Sequence, residues 1–238
     1  QPALTILKRR NHTAFYNFWI DRLRGPADGS NDRVLRSNTT TAANNSNYLN
    51  SFDSNGITLP STAAVNESGG TYVAWNWRAD ESFTPSGSGV TATSGLRDTD
   101  AGFSVLKWEG DTSSGGSITH GLNAKPEFVI WKRIDNTWNW DIYWESIGYD
   151  GTPTGTVDSL VFTTATPRSV SVLHPDATNL NLTNNFTNGD GAKMIAYCWH
   201  SVPGYSSFGE YISNAAQTAN PTNNGQFVFT GFKPAFVL

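Results

Sequence analysis

Two carboxylates, Asp141 and Glu145, stand in the run Trp138-Asn139-Trp140-Asp141-Ile142-Tyr143-Trp144-Glu145. Paired acids on one face of a β-sandwich hydrolyse glycosidic bonds when they lie about 5–9.5 Å apart. Four residues along a strand span roughly 13 Å, which is too far. The corresponding run earlier in the chain also has Asn17 where Asp141 stands. No catalytic residues are therefore assigned, and an enzyme is not expected; a β-sandwich glycosidase is the weakest reading. The same residues suit a binding surface better. Tyr143 beside Glu145 is matched by Trp19 beside Asp21. An aromatic ring can stack on a sugar while a neighbouring carboxylate accepts bonds from its hydroxyls. Trp19, Asp21, Tyr143 and Glu145 are thus the candidate glycan-binding residues. The competing structural reading pairs Asp21 with Lys8 or Arg9, and Glu145 with Lys132 or Arg133, as ion pairs across hairpins.

Other chemistry finds little support. His12, His120, His174 and His200 have no metal-ligand spacing, and Cys198 stands alone, so neither a metal nor a cofactor is expected. Asp- and Asn-rich turns offer oxygens to calcium, but no EF-hand or calcium-repeat pattern is present. There is no phosphate-binding loop and no nucleophile elbow. A net charge of −4 with 15% charged residues lacks the basic clusters that neutralise phosphates, which argues against nucleic acid. No run of 18 apolar residues is present to span a membrane, and no signal peptide is visible. The chain opens on Gln1 and its last motif breaks off at Leu238, so it reads as processed or as a piece of something longer.

The elements that must position these residues follow from a strand that occurs three times: Pro2-Ala3-Leu4-Thr5-Ile6-Leu7-Lys8-Arg9, Pro126-Glu127-Phe128-Val129-Ile130-Trp131-Lys132-Arg133 and Pro234-Ala235-Phe236-Val237-Leu238. Proline is tolerated at the first position of a strand, and the apolar residues after it suit a pleated, buried surface. Leu4, Phe128 and Phe236 are expected in corresponding buried places. Once these copies are aligned, the rest of the chain matches itself. Tyr16–Asp21 lies opposite Trp140–Glu145, Ile57-Thr58-Leu59 opposite Leu180-Asn181-Leu182, and Tyr72–Trp77 opposite Met194–Trp199. Gly102-Phe103-Ser104 lies opposite Gly204-Tyr205-Ser206, and His120-Gly121-Leu122 opposite Thr230-Gly231-Phe232. Internal repetition of this kind decides the architecture before any local reading does.

Abundant Gly, Asn, Thr and Ser, with no helical periodicity, predict an all-β chain of short strands and turns. The expectation is two tandem β-sandwich, jelly-roll-like repeats of about 110–124 residues, each long enough for its own core. They divide the chain into residues 1–124 and 125–238, the second ending in the first strand of a further copy. Whether the repeats share a sheet is left open. Thr71–Arg78 and Phe103–Trp108 read as strands, as do Tyr205–Ile212 and Gln226–Thr230. Residues 79–101 read as a Ser/Thr/Gly loop that the second copy lacks, where binding variation would be expected.

Several of these phrases together resemble a repeat found in virion and tail-fibre-like proteins of marine tailed bacteriophages: Tyr72-Val73-Ala74-Trp75-Asn76-Trp77, Pro126-Glu127-Phe128-Val129-Ile130, Trp138-Asn139-Trp140, Gly204-Tyr205-Ser206-Ser207-Phe208-Gly209 and Gly231-Phe232-Lys233-Pro234-Ala235-Phe236-Val237-Leu238. Such repeats often accompany concanavalin A-like, laminin-G-type domains. The resemblance implies a non-enzymatic structural or fibre module on the virion surface. Its partners would be other virion proteins, copies of itself and, in an adhesive role, host-surface glycans. The alternative is a carbohydrate-binding, lectin-like domain.

Overall fold

A computed structural model of the chain describes residues 1–25, 33–111, 115–145, 156–162, 168–183, 187–211, 227–235 and 237. The strands in chain order are β1 (Pro2–Arg9), β2 (Phe18–Asp21), β3 (Leu35–Arg36), β4 (Ser51–Asp53), β5 (Gly56–Thr58) and β6 (Tyr72–Arg78). Then come β7 (Glu81–Phe83), β8 (Gly87–Ser88), β9 (Val90–Asp98), β10 (Phe103–Gly110) and β11 (Gly116–Thr119). The last are β12 (Phe128–Arg133), β13 (Trp140–Trp144), β14 (Thr156–Val161), β15 (Arg168–Leu173), β16 (Asn179–Leu182) and β17 (Lys193–Trp199). Among the described residues there is no helix, and the fold is all-β.

The sheets stack in layers. A four-stranded sheet, β3-β2-β1-β6, packs on an eight-stranded sheet, β15-β14-β13-β12-β17-β10-β9-β7. Leu4, Ile6, Trp19 and Leu35 from the first meet Phe103, Phe128, Ile130, Trp140, Ile195 and Tyr197 from the second. The outer face of the larger sheet, with Leu106, Trp108, Val129, Trp131 and Met194, packs on Ile118, Leu180 and Leu182 of a three-stranded layer, β16-β11-β8. The outer face of the smaller sheet, with Leu7, Phe18 and Ile20, is covered by Leu49, Phe52 and Val65 around the β4-β5 hairpin. Both main sheets are therefore buried on two faces. This explains why β1, β12 and β17 read as continuous apolar runs and not as strict alternations.

The layers also reveal the repeat as strand pairing. The order β3-β2-β1-β6 has the same neighbours as β14-β13-β12-β17. Leu4 stands opposite Trp77 in one, and Phe128 opposite Trp199 in the other. The equivalent faces of the two sheets point toward each other. Residues 1–124 and 125–238 are nevertheless not closed off from one another, because β10 runs antiparallel to β17, from Phe103 opposite Trp199 to Glu109 opposite Lys193. The tail of the first repeat completes the sheet of the second.

Three strand readings are corrected. Residues 79–101 are largely strand: β9 forms a hairpin with β10 and carries β7 on its outer edge. Tyr205–Tyr211 is not a strand; an isolated bridge between Val202 and Ser206 turns the chain back on itself instead. Phe227–Thr230 is not a strand either, and Pro234 and Ala235, expected to open a third Pro-strand, are exposed outside any strand. Phe236 and Leu238 lie outside the described residues, as do Ile212 and Gln226 at the ends of the two expected strands.

Candidate functional site

The four candidate glycan-binding residues do not form a surface. Trp19 is 6% exposed, and its ring packs 5.1 Å from that of Trp140 and 5.3 Å from that of Tyr197 in the seam between the two main sheets. Asp21 is fully buried. Its carboxylate accepts a bond from Arg24 Nε at 2.7 Å and from the Tyr197 hydroxyl at 2.7 Å, and the Arg24 guanidinium completes an ion pair. The expected pairing with Lys8 or Arg9 is not made. Lys8 donates to the Phe15 carbonyl at 2.6 Å, and Arg9 pairs with Glu67. Burial raises the Tyr197 phenol well above its usual value, so the hydroxyl keeps its proton for Asp21.

Tyr143 is fully buried as well, but on the opposite face of its sheet from Trp140. Its hydroxyl donates to Glu145 and lies 3.0 Å from His174 Nδ1. With the phenol proton given to Glu145, the imidazole Nδ1 is the donor in the second bond. Glu145 is half-buried and paired with Lys125 at 2.6 Å, not with Lys132 or Arg133. Burial alone would raise this carboxyl, but hydrogen bonds from Lys125 and Tyr143 outweigh it and hold it low. Burial first, then Glu145, pushes the Tyr143 phenol upward. The chain Lys125–Glu145–Tyr143–His174 ties the ends of β12 and β13 to the segment after β15. It offers no ring face to a ligand.

A one-residue slip explains why two similar motifs end in such different places. Thr5 opposes Ile20, whereas the equivalent Val129 opposes Tyr143. Trp19 therefore corresponds to Ile142, and Asp21 to Trp144, one position from the match in the sequence. A shift of one residue moves every side chain to the other face of a sheet. The aromatic-carboxylate pairs are not equivalent in space. Arg24, Tyr197, Lys125 and His174 were missed because each partner arrives from elsewhere in the fold; only Arg24, three residues after Asp21, gave a local signal.

Two surface depressions lie among the described residues. One, of about 360 Å³, is lined by Phe83, Thr84, Arg97, Thr119, Gly121, Leu122 and Thr178. Phe83, Thr84 and Arg97 come from the segment 79–101, and Thr178 from residues 125–238. The Arg97 guanidinium lies 5.1 Å from the Phe83 ring, donates to the Gly121 carbonyl at 3.3 Å and pairs with Glu81. Phe83 sits so close over Gly121 that a Cβ there would strike its ring, and Gly121 also has φ 73°. The other depression, of about 200 Å³, is lined by Thr40, Thr137, Trp138 and Asn139. Beside it the buried Lys132 donates to the carbonyls of Arg133 at 2.7 Å and Thr40 at 3.4 Å. Burial lowers its pKa to about 8, against the opposing pull of Asp141. Among the described residues, no group of three or more His, Cys, Asp or Glu is placed to hold a metal. No helix among them is long and apolar enough to cross a membrane.

A family model described as a domain of unknown function, DUF7483, matches residues 1–238, and the chain belongs to that family. Searches of the curated proteins and of the solved structures find no match.

Proposed function

We propose that this DUF7483 chain is a structural module of a virion, displayed on the particle surface as part of a fibre or shell and able to contribute to host adhesion. The observation that carries this reading is the shared sheet: β10 of the first repeat completes the sheet of the second, an arrangement that suits serial assembly. The residues with chemical potential support it too. Asp21, Arg24, Tyr143 and Tyr197 are spent on internal bonds, and they tie layers together. An antibody to the chain, used to label source particles in electron micrographs, tests the reading. Decoration of the particle surface is expected; particles free of label, with the chain found only outside them, would overturn it.

A second reading, carbohydrate binding, is favoured by one observation. The depression around Phe83 and Arg97 offers an aromatic ring, a guanidinium and the hydroxyls of Thr84, Thr119 and Thr178. Binding on a glycan array that is lost in Phe83→Ala would establish it, and no binding by the wild type would remove it.

A further inference from the structure

β6 and β17 are equivalent strands with unequal surroundings. β17 lies between β12 and β10 and is buried from Met194 to Trp199. β6 pairs with β1 on one side and ends its sheet on the other, with Ala74, Asn76 and Arg78 exposed. The partner that β6 lacks is the equivalent of β10. That equivalent exists in this chain: Gly204-Tyr205-Ser206 repeats Gly102-Phe103-Ser104.

The outer layers show the same imbalance. β16 pairs with β11, whereas among the described residues its counterpart β5 pairs only with β4. The equivalent of β11 falls at 226–229, since Thr230-Gly231-Phe232 matches His120-Gly121-Leu122, and Phe227–Thr230 carries its described part. Neither tail segment lies on those edges. The bridge between Val202 and Ser206 turns the first away, with Phe208 stacked 5.7 Å from Phe128. Tyr205, Tyr211, Phe227 and Phe229 are left 63%, 64%, 80% and 79% exposed. Among the described residues, two open edges thus match two exposed apolar segments in number, order and repeat position.

We propose that copies of this chain associate by strand donation: Tyr205–Tyr211 of one copy adds to the β6 edge of another, and Phe227–Thr230 adds to its β5 edge. Main-chain hydrogen bonds supply the affinity, as in other additions of a strand to a sheet edge. The aromatic side chains leave water in the process, and the exposed backbone of β6 is covered. The pairing of β10 with β17 sets the register. Cys198 opposes Ser104 there, so Asn76 opposes the donated Ser206, and Ala74 opposes the donated Phe208. This proposal names a partner for the structural reading and rests on it, but the two fail separately. A chain that decorates particles without associating by this edge would keep the first and lose the second.

The test uses the full chain and two single variants, Asn76→Cys and Ser206→Cys. The native Cys198 is buried and does not compete. The two variants are mixed at high concentration and treated with a short bis-maleimide. A covalent heterodimer at twice the chain mass, at least ten-fold more abundant than homodimer of either variant, is the expected result. Absence of the heterodimer would overturn the proposal. So would a double variant, Asn76→Cys with Ser206→Cys, that links only within monomers, because the chain would then close on its own edge. Light scattering of the wild type adds a control that needs no substitution: the mass of a single chain at every concentration contradicts strand donation.

Discussion

The ring of Trp77 meets the ring of Trp199 edge to face, with centroids 5.9 Å apart. These two residues are equivalent in the repeat, each opposite the same position of its Pro-strand, Leu4 or Phe128. Contact between equivalent residues is the mark of a two-fold relation. The two sheets of the repeats therefore pack through the same face, with Trp77 and Trp199 near the axis. Around them gather Phe103 and Phe128, the first residues of β10 and β12. Packing across this seam fixes both halves, and it accounts for the burial of residues whose types alone suggested a ligand.

The Asp21–Arg24 pair is fully buried and is joined by Tyr197 from the other sheet. Asp21→Ala leaves the guanidinium without its counter-charge, and removing one member of a buried pair costs about 3–5 kcal/mol. Tyr197→Phe removes two bonds, the one donated to Asp21 and the one accepted from Arg24, but leaves the ion pair in place, for about 1–2 kcal/mol. Urea titrations of both variants check the order. Equal, small effects would mean that the pair is not holding the layers together.

Trp19→Ala removes an indole from the seam and is expected to cost about 3–5 kcal/mol. Tyr143→Phe leaves Glu145 and His174 each short of a partner, for roughly 1–3 kcal/mol. Neither substitution is expected to change a glycan-array profile at a temperature where the variant is folded. A profile lost in folded Trp19→Ala would return these residues to a binding role.

The all-β fold class was legible in the sequence because Pro2, Pro126 and the apolar residues after them mark strands that bury two faces. The division into separate sandwiches was not, since nothing in residues 103–110 indicates that their partner is β17 and not β6. The candidate site failed for a related reason. Trp19 and Tyr143 are similar residues in similar runs, yet a slip of one position in the β12-β13 register places them on opposite faces. Sequence spacing cannot report that slip. The strand content of 79–101 was hidden by Gly, Ser and Thr. At Gly87 the small residue answers a close approach of two backbones: a Cβ there would collide with the Ser117 carbonyl.

Lys132 carries a pH signature. Its pKa is held near 8, below its ordinary 10.5, so the unfolded chain binds the extra proton between those values. Its contribution to stability therefore rises with pH across that window and is at its least favourable below about 8. The buried Cys198 thiol, whose pKa burial raises, acts in the opposite direction: the unfolded thiol ionises above its ordinary value near 9, and stability falls as pH rises. The difference between wild type and Lys132→Met isolates the amine. The variant is expected to lose stability relative to wild type on going from pH 7 to pH 10, by roughly 1–3 kcal/mol. A difference that does not change with pH would mean that Lys132 stays charged in the fold.

Gly87→Ala places a methyl group against the Ser117 backbone where β8 meets β11. The expected outcome is faster amide exchange at Ser117 and Ile118 with the central sheet unchanged. Uniform loss of protection would show that the outer layer is not a separable unit.

Amide hydrogen exchange in β6 and β17, followed from dilute to concentrated protein, tests the assembly account most directly. Unassociated chains should exchange quickly along the open edge of β6 and slowly along β17. On concentration, β6 from Tyr72 to Trp77 should gain protection while β17 stays as it was. Slow exchange of β6 at the lowest concentration, or no gain as copies are added, would contradict the claim that this edge receives a strand from another copy.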